Sequence, residues 1–217
     1  MSNVLLIANG DIDTGDWWQQ WVTKADVVIA VDGGSRHCLT WGLRPDIVLG
    51  DMDSVPAEAE QMWADTVTWV RHPVAKDETD LELALTYAFD QLAATEIFIL
   101  GAWGGRWDQT IANLLLLGHP TWRNRNVRLL APGQAAWCWA ARAEPYMLTA
   151  EVGTIVSLLP LGGDVFIEQT AGLQWPLHQE WLHLGPARGV SNVIIQQPAS
   201  LQLSIGLVWV MTIWNDV

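Results

Sequence analysis

Continuous runs of apolar, mostly β-branched residues recur through the first part of the chain and constrain its fold more than any other feature. Six such runs begin at Val4, Val27, Ile47, Val67, Ile97 and Val127. Most of them do not alternate with polar residues, which is typical of strands buried on both faces of a parallel sheet. Segments with helical periodicity lie between them, most clearly Thr79 to Leu92. Strands that alternate with helices predict a doubly wound α/β domain.

The pattern changes after Arg142. Short β-rich segments separated by Gly or Pro follow, with little helical periodicity, and they predict a small antiparallel sandwich or partial barrel. The charge changes as well, since residues 46–82 hold ten acids while the chain from residue 151 onward holds five acids and one base, Arg188. We therefore expect an α/β N-terminal domain with a mainly parallel, doubly wound sheet over residues 1–142. A smaller all-β sandwich domain is expected over residues 143–217.

Composition excludes several classes of protein. Half of the 217 residues are hydrophobic and 16% are charged, which argues against global disorder. The formal net charge of −13 argues against a nucleic-acid-binding protein, which needs a basic face. Cys38 and Cys138 match no metal-ligand spacing, so reduced thiols in the cytoplasm are expected. No apolar run approaches the length that spans a bilayer, so we expect no membrane partner.

Carboxylates cluster where predicted strands end and helices begin. Asp32 stands in VDGG, Asp51 and Asp53 in GDMDS, and Asp80 in KDETD. Such carboxylates repel one another unless a cation lies among them, and Mg²⁺ held by one or two carboxylates plus substrate phosphates is the usual one. In an extended segment Asp51 and Asp53 point the same way and could share that ion. The alternative is a solvated turn in which Asp53 or Ser54 caps the next helix.

Two further motifs fit a nucleotide site but also have ordinary structural explanations. In KDETDLELAL, Thr79 is expected to cap a helix whose first turn holds Asp80 and Glu82, and helix capping alone explains much of that pattern. Lys76 either contacts a phosphate or neutralises its acidic neighbours.

GAWGGRWDQT is expected to follow a strand and to open a helix, so that its backbone N–H groups form an anion-binding turn. Arg106 adds a fork suited to phosphate oxygens, and Asp108 either holds Arg106 or caps the helix. The order GxxxxGK[ST] is absent, so this is not a P-loop.

Taken in order, these motifs resemble the thiamine pyrophosphokinase family. The matching segments are VDGG at 31–34, LRPDIVLGDMDS at 43–54, KDETDLELAL at 76–85, GGRWDQTIANL at 104–114, AGLQWPL at 171–177 and RGVSN at 188–192. The resemblance covers nearly the whole chain. It implies an N-terminal α/β domain, a C-terminal β-sandwich and a homodimer. It also implies transfer of the pyrophosphoryl group of ATP to the hydroxyethyl oxygen of thiamine, with Mg²⁺ as cofactor and AMP as second product.

The same resemblance assigns roles to individual residues. It implies that the metal ligands are Asp51, Asp53 and Asp80, and that the catalytic set is these three with Arg106. The implied nucleotide-binding residues are Asp32, Gly33, Lys76, Gly104, Gly105, Arg106 and Asp108. The implied thiamine-binding residues, in a cleft between two subunits, are Asp77, Ser191 and Asn192.

The chain also departs from the family pattern in three places. Gln109 stands where bacterial members often have His, Trp175 replaces a commoner Tyr, and Val193 stands where Glu is frequent. These departures affect expected substrate contacts more than the expected reaction.

Two alternatives stay open at this point. One is another Mg²⁺-dependent phosphotransferase that acts on a different small alcohol. The other is a non-catalytic regulatory module with an acidic metal pocket. The second fits less well, because the first strand ends in Asn9-Gly10 rather than in adjacent acids.

Overall fold

A computed structural model describes residues 2–13 and 15–214. Its first unit is built on six parallel strands, one for each apolar run of the sequence. Their bounds are β1 Ser2–Ile7, β2 Val27–Val31, β3 Ile47–Gly50, β4 Thr68–Arg71, β5 Ala94–Leu100 and β6 Val127–Ala131. The strand order is β6-β5-β1-β2-β3-β4, and every neighbouring pair is parallel. The predicted parallel sheet is confirmed. The C-terminal parts of its central strands are fully buried, with Val4, Leu5, Leu6 and Ile7 of β1 at zero exposure.

Helices connect these strands, as the alternating pattern predicts. They are α1 Gln19–Lys24, α2 Ser35–Thr40, α3 Ala57–Trp63, α4 Asp80–Asp90 and α5 Trp107–Leu117, together with one 3₁₀ turn at Asp32–Gly34. Helix α4 contacts β2, β3 and β5. Its buried face carries Leu81, Leu85 and Phe89, spaced four residues apart on one side of the helix. This packing fixes the N-terminus of α4 close to the ends of the strands.

The strand order reverses between β1 and β5. From β1 the chain adds β2, β3 and β4 toward one edge, then returns to place β5 and β6 on the other side of β1. In open α/β sheets, ligands bind beyond the carboxyl ends of the strands at such a reversal. We therefore expect a ligand-binding site in the segments that follow β1, β2, β3 and β5.

The second unit is antiparallel, as the short Gly- and Pro-separated segments predict. Its strands are β7 Gln134–Ala140, β8 Tyr146–Leu148, β9 Ile155–Pro160, β10 Val165–Ala171, β11 His178–Leu182, β12 Asn192–Val193, β13 Ala199–Ile205 and β14 Leu207–Ile213. One set runs β12-β9-β14-β7 and the other β11-β10-β13-β8. Alternate residues are buried, for example Leu201 and Leu203 of β13 and Val165 and Ile167 of β10. This alternation is typical of an antiparallel sheet with one covered face.

The chain folds into two compact units, and the residues of each unit mostly contact residues of the same unit. The first runs to Leu116 and also takes in Arg125–Pro132, and the second takes in Leu117–Asn124 and the chain from Gly133 onward. Strand β7 therefore belongs to the second unit, although it precedes residue 142. The domain division after residue 142 stays a prediction. In the described ranges no helix is both long and apolar enough to cross a membrane.

We predict that Thr79→Ala lowers the free energy of unfolding by about 1 kcal/mol, the usual cost of losing a helix cap. Thr79 has extended backbone angles before α4, and its Oγ1 accepts a hydrogen bond from the Glu82 N–H at 3.2 Å. Urea denaturation of the two proteins measures the difference. Thr79→Ser keeps the hydroxyl and should restore most of the stability. An unchanged urea midpoint in Thr79→Ala would show that this cap contributes nothing.

Candidate active site

A cleft of about 490 Å³ lies where the strand order reverses. Segments that follow β1, β2, β3 and β5 line it, together with the starts of α4 and α5. Among its lining residues are Asn9, Asp32, Asp51, Asp53, Lys76, Asp80, Gly104 and Arg106. Most of the acidic and glycine motifs of the first domain therefore come together at one place in the fold.

Three carboxylates converge in the cleft. Asp32, Asp51 and Asp80 each offer an oxygen, and these oxygens lie within 4.8 Å of one another. We call these three residues the carboxylate group. Asp32 follows β2 and Asp51 follows β3, and the pairing of Val31 with Leu49 places the two strand ends side by side. Asp80 is the first residue of α4.

Glycine at position 50 allows Asp32 and Asp51 to approach. A Cβ added to Gly50 would lie 2.8 Å from the Cβ of Asp32, and the φ angle of Gly50 is 153°. In the structure, Gly50 makes room for Asp32. A side chain at Gly50 would push β3 away from the end of β2.

Asp53 lines the cleft but is not one of the three converging carboxylates. Met52 has a left-handed φ of 70°, so the segment turns instead of continuing extended. The Asp53 N–H donates to Asp51 Oδ1 at 3.2 Å, and Asp53 Oδ1 accepts from Ser54 Oγ at 2.9 Å. The sequence predicts that Asp53 lies beside Asp51, whereas in the structure Asp32 and Asp80 are the carboxylates that converge with Asp51. The metal role of Asp53 stays a prediction.

Lys76 is the cation nearest to these acids for which the structure gives contacts. Its Nζ lies 3.2 Å from Asp51 Oδ2 and 2.9 Å from Asp80 Oδ1, and its side chain is only 11% exposed. Burial opposes its charge, but the hydrogen bonds and charges of Asp80 and Asp51 outweigh burial and raise the pKa of Lys76. The Asp53 N–H, followed by Lys76, lowers the pKa of Asp51. The ammonium group thus neutralises its acidic neighbours, as one of the two sequence interpretations proposes.

The surroundings of Asp32 oppose the ionisation of its carboxyl group. Burial raises the pKa of Asp32, hydrogen bonds from the Gly33 and Ser54 N–H groups oppose that rise, and the charges of Asp80 and Asp53 add to it. Asp32 is 8% exposed and its φ of 45° is unusual for a residue other than glycine. Such a residue is expected where a cation will be bound, since a cation removes the cost of its charge.

The glycine-rich turn after β5 is held by the segment after β1. The Gly10 N–H donates to Gly101 O at 2.7 Å and the Asp11 N–H donates to Trp103 O at 2.8 Å. Gly104 and Gly105 have positive φ angles of 89° and 63°, and a Cβ on Gly104 would lie 2.4 Å from Asp11 Oδ2. Asp11 is not among the site residues that the sequence predicts. Nothing in the local sequence NGDID indicates that Asp11 faces a turn about ninety residues later.

Gly33 and its neighbour Asn9 make a similar close contact on the other side of the cleft. A Cβ on Gly33 would lie 2.5 Å from the amide group of Asn9. Both residues follow strand ends, Asn9 after β1 and Gly33 after β2. Asn9 lines the cleft and was also not selected from the sequence.

Arg106 and Asp108 form an exposed pair at the rim. Arg106 Nε donates to Asp108 Oδ1 at 3.1 Å and its Nη2 donates to Asp108 Oδ2. The side chains are 69% and 65% exposed. The hydrogen bonds from Arg106 lower the pKa of Asp108, so both groups are charged at neutral pH. Arg106 lines the cleft, whereas Asp108 does not.

The three residues expected to bind thiamine are not among the residues that line the cleft. Asp77 is exposed and does not line the cleft, although its neighbours Lys76 and Glu78 do. Ser191 and Asn192 lie in the second unit. The Asn192 amide is buried, accepts from the Trp175 N–H at 3.0 Å and donates to Trp175 O at 2.6 Å. Asn192 therefore fixes the backbone at Trp175, whose side chain is 51% exposed.

The fold and the cleft define an α/β enzyme with its site beyond the carboxyl ends of a parallel sheet. A family model described as "Thiamin pyrophosphokinase, catalytic domain" matches residues 18–130, and one described as "Thiamin pyrophosphokinase, vitamin B1 binding domain" matches residues 146–208. The chain belongs to the thiamin pyrophosphokinase family. The resemblance carried by the sequence motifs is confirmed.

Relatives named thiamine pyrophosphokinase match over most of the chain. The thiamine pyrophosphokinase of Bacillus subtilis is 28% identical over 181 residues, which is 82% of this chain and 83% of the relative. Thiamine pyrophosphokinase 1 of Oryza sativa subsp. japonica is 24% identical over 182 residues, which is 79% of this chain and 67% of the relative.

Solved structures agree with the two-part fold. A thiamin pyrophosphokinase family protein from Enterococcus faecalis superposes with a TM-score of 0.82 at 25% identity, covering 99% of this chain and 100% of that one. The yeast thiamin pyrophosphokinase superposes with a TM-score of 0.80 at 16% identity, covering 98% and 86%. The yeast likeness shows the fold alone.

We predict that Asp32→Asn raises the melting temperature in metal-free buffer near neutral pH by a few degrees. Because the native pKa of Asp32 is raised, its ionisation favours the unfolded state, and stability falls as the pH rises through the native pKa. The asparagine removes that penalty, so its advantage should disappear as acid protonates Asp32 in the unaltered protein. Melting curves from pH 3 to pH 8, chosen to span roughly the usual and raised carboxyl range, measure this difference.

Asp65→Asn is the matched control, because Asp65 is an exposed acid on the surface. It should leave the melting temperature nearly unchanged. If Asp32→Asn melts no higher than Asp65→Asn at neutral pH, the negative charge of Asp32 does not destabilise the folded protein.

Proposed function

We propose that this chain transfers the pyrophosphoryl group of ATP to the hydroxyethyl oxygen of thiamine, giving thiamine diphosphate and AMP. Membership of the thiamin pyrophosphokinase family and the presence of both of its domains support this reaction. The convergence of Asp32, Asp51 and Asp80 where the strand order of the sheet reverses supports the assignment of this reaction to particular residues. A cleft with that composition suits a charged ligand that brings its own cation.

The carboxylate group fits Mg²⁺. All three side chains offer carboxylate oxygens, the ligands that a hard divalent cation prefers. Asp80 Oδ1 is buried, and Lys76 Nζ lies 2.9 Å from it. We assign Asp51 and Asp80 as ligands, with Asp32 beside them and Asp53 as the further ligand that the family pattern implies. When bound, Mg²⁺ would offset the charge of the phosphates and make the β-phosphorus easier to attack.

Further residues are proposed to position the nucleotide. Gly104 lines the cleft and, with Gly33 and Gly105, is proposed to leave room for a phosphate chain close to the strand ends. The guanidinium of Arg106 offers forked donors to phosphate oxygens and would stabilise the charge that develops as AMP departs. Asp108 holds Arg106 at the rim until a phosphate replaces it. This reaction needs positioning and charge neutralisation more than covalent catalysis.

Thiamine is proposed to bind with help from Asp77, Ser191 and Asn192. The hydrogen bonds of Asn192 to Trp175 support an indirect role, in which the amide orders the loop that presents the Trp175 ring. An exposed indole is a suitable surface for a flat heteroaromatic ring. Thiamine is a cation, and a chain with net charge −13 also attracts cations over longer distances.

We further propose that the protein is a cytoplasmic homodimer with the thiamine site at the subunit interface. An apolar row crosses the second unit, where Phe166 pairs with Trp181 on one side and Ile205 on the other. Trp181 and Ile205 are 45% and 50% exposed, and covering them would stabilise a dimer. Cys38 and Cys138 are free and buried, which suits a reducing compartment.

The reaction is tested by incubating the purified protein with ATP, Mg²⁺ and thiamine and measuring nucleotide products. We expect AMP that depends on thiamine, together with thiamine diphosphate. ADP in place of AMP would indicate transfer of a single phosphoryl group instead of the pyrophosphoryl group, and the absence of both would refute the proposal.

Variants of the two GDMDS acids show which carboxylate serves the reaction. Asp51→Asn should lower kcat about a hundredfold or more, because it removes a proposed ligand of the ion that stabilises the transition state. Asp53→Asn should also abolish most turnover if the family pattern applies. Asp65→Asn is the control and should turn over normally. Near-normal activity of Asp53→Asn would remove that residue from the site and leave Asp32 in its place.

The dimer is tested by light scattering during gel filtration. The unaltered protein should have twice the mass of one 24.1 kDa chain. Trp181→Glu places a charge in the apolar row and should shift the protein toward the monomer. Met62→Glu changes an exposed apolar residue of α3 instead and should leave the mass unchanged. A monomer in the unaltered protein at working concentration contradicts the proposal.

A further inference from the structure

Lys76 occupies the position that a bound cation would need. Its ammonium group contacts Asp51 Oδ2 and Asp80 Oδ1 at 3.2 and 2.9 Å. The same two side chains, with Asp32, make up the carboxylate group. A lysine that is 11% exposed and lies between two acids is a counter-ion built into the site.

The residue type at this position is unusual for the chain. Only Lys24 and Lys76 are lysines among the eleven basic residues, so the other nine are arginines. Arginine binds carboxylates through a rigid fork, whereas lysine is a compact charge on a flexible four-carbon stem. A cation that must hold two carboxylates and then leave them is better served by lysine.

We propose that Lys76 is an exchangeable internal cation, which holds Asp51 and Asp80 together when no divalent ion is bound and moves to phosphate oxygens of the nucleotide when one binds. This inference rests on the proposed function and deepens it. It gives Lys76 two successive partners, the carboxylate group and the phosphate chain. The two alternatives that the sequence leaves open for Lys76 thus become two states of one residue.

Distance and charge both favour the exchange. Mg²⁺ binds carboxylate oxygens at about 2.0–2.1 Å, so an ion that takes the oxygens that Lys76 contacts competes with the ammonium group for them. Mg²⁺ bound beside an unmoved ammonium would also be repelled by it. The carboxylates keep two uncompensated negative charges while Lys76 is present, since three acids face one base. The site therefore still attracts a divalent ion.

The displaced ammonium has a destination within the same cleft. Lys76 lines the cleft together with Gly104 and Arg106, which are the proposed phosphate contacts. Lysine binds phosphates as a point charge and needs no fixed orientation. Its movement from carboxylate to phosphate would couple the arrival of the metal to the arrival of the nucleotide.

The first test is calorimetric titration of Mg²⁺, without nucleotide, into the unaltered protein, Lys76→Met and Lys24→Met. A charge within about 4–6 Å changes the affinity of a site for a proton by roughly tenfold to a thousandfold, and a divalent ion should respond at least as strongly. We therefore expect Lys76→Met to bind Mg²⁺ about tenfold or more tightly. Lys24→Met removes the same charge from α1 and should bind Mg²⁺ as the unaltered protein does. Equal or weaker binding by Lys76→Met would overturn the proposal.

The second test uses the unaltered protein and so does not depend on how Lys76→Met folds. A small acylating reagent labels lysines, and peptide mass spectrometry separates Lys24 from Lys76. We expect slow labelling of Lys76 in metal-free buffer, faster labelling with saturating Mg²⁺ alone, and slow labelling again when a non-hydrolysable ATP analogue is added. Lys24 should react at one rate throughout. Labelling of Lys76 that does not change with Mg²⁺ contradicts the exchange.

These measurements are independent of the reaction itself. If thiamine-dependent AMP formation fails while Lys76→Met binds Mg²⁺ more tightly, the proposed function is refuted and the exchange remains. If the reaction proceeds while the Mg²⁺ affinity and the labelling stay unchanged, the exchange is refuted and the proposed function remains.

Discussion

Repulsion among carboxylates is the constraint around which the cleft is organised. Asp32, Asp51 and Asp80 bring their oxygens within 4.8 Å of one another, and like charges so close in a partly buried site cost free energy. Lys76 contacts Asp51 and Asp80 and offsets one unit of the negative charge, and backbone N–H groups of Gly33 and Ser54 compensate in part for Asp32. The compensation is incomplete, because the pKa of Asp32 is still raised by burial and by its acidic neighbours. A site that keeps this remaining cost is suited to a cation.

The fold delivers these acids through its topology. Parallel strands all end at the same edge, so residues that follow β2 and β3 meet there whatever their separation in sequence. Close approach then requires glycine at particular points, as at Gly50 against Asp32 and Gly33 against Asn9. Helix α4 adds Asp80 because Thr79 caps the helix at the level of the strand ends. Stability and site therefore share the same few backbone positions.

Features fixed by local chemistry were predictable from the sequence, and features fixed by long-range approach were not. Continuous apolar runs identified six buried parallel strands, and Thr79 identified the start of α4. The pairing of Asp51 with Asp53 assumed an extended segment, whereas the left-handed Met52 turns the chain and Asp32 comes near Asp51 instead. Strand β7 was not recognised because its sequence, QAAWCWA, is rich in alanine, which strands disfavour. The contacts of Asp11 with Gly104 and of Asn192 with Trp175 join distant segments, and no local pattern announces them.

The two cations of the cleft differ in what it costs to move them. Arg106 is paired with Asp108 at an exposed rim, where an ion pair contributes little and water replaces it readily. Lys76 is 11% exposed and lies between two acids, and removing it without a replacement leaves charge uncompensated, which is more costly. Arg106 can therefore turn to a phosphate on its own, whereas Lys76 can leave only when another cation arrives. Under the proposed exchange, the nucleotide obtains its full set of contacts only as a complex with its metal. Lys76 would then be the residue that distinguishes metal-bound from free nucleotide.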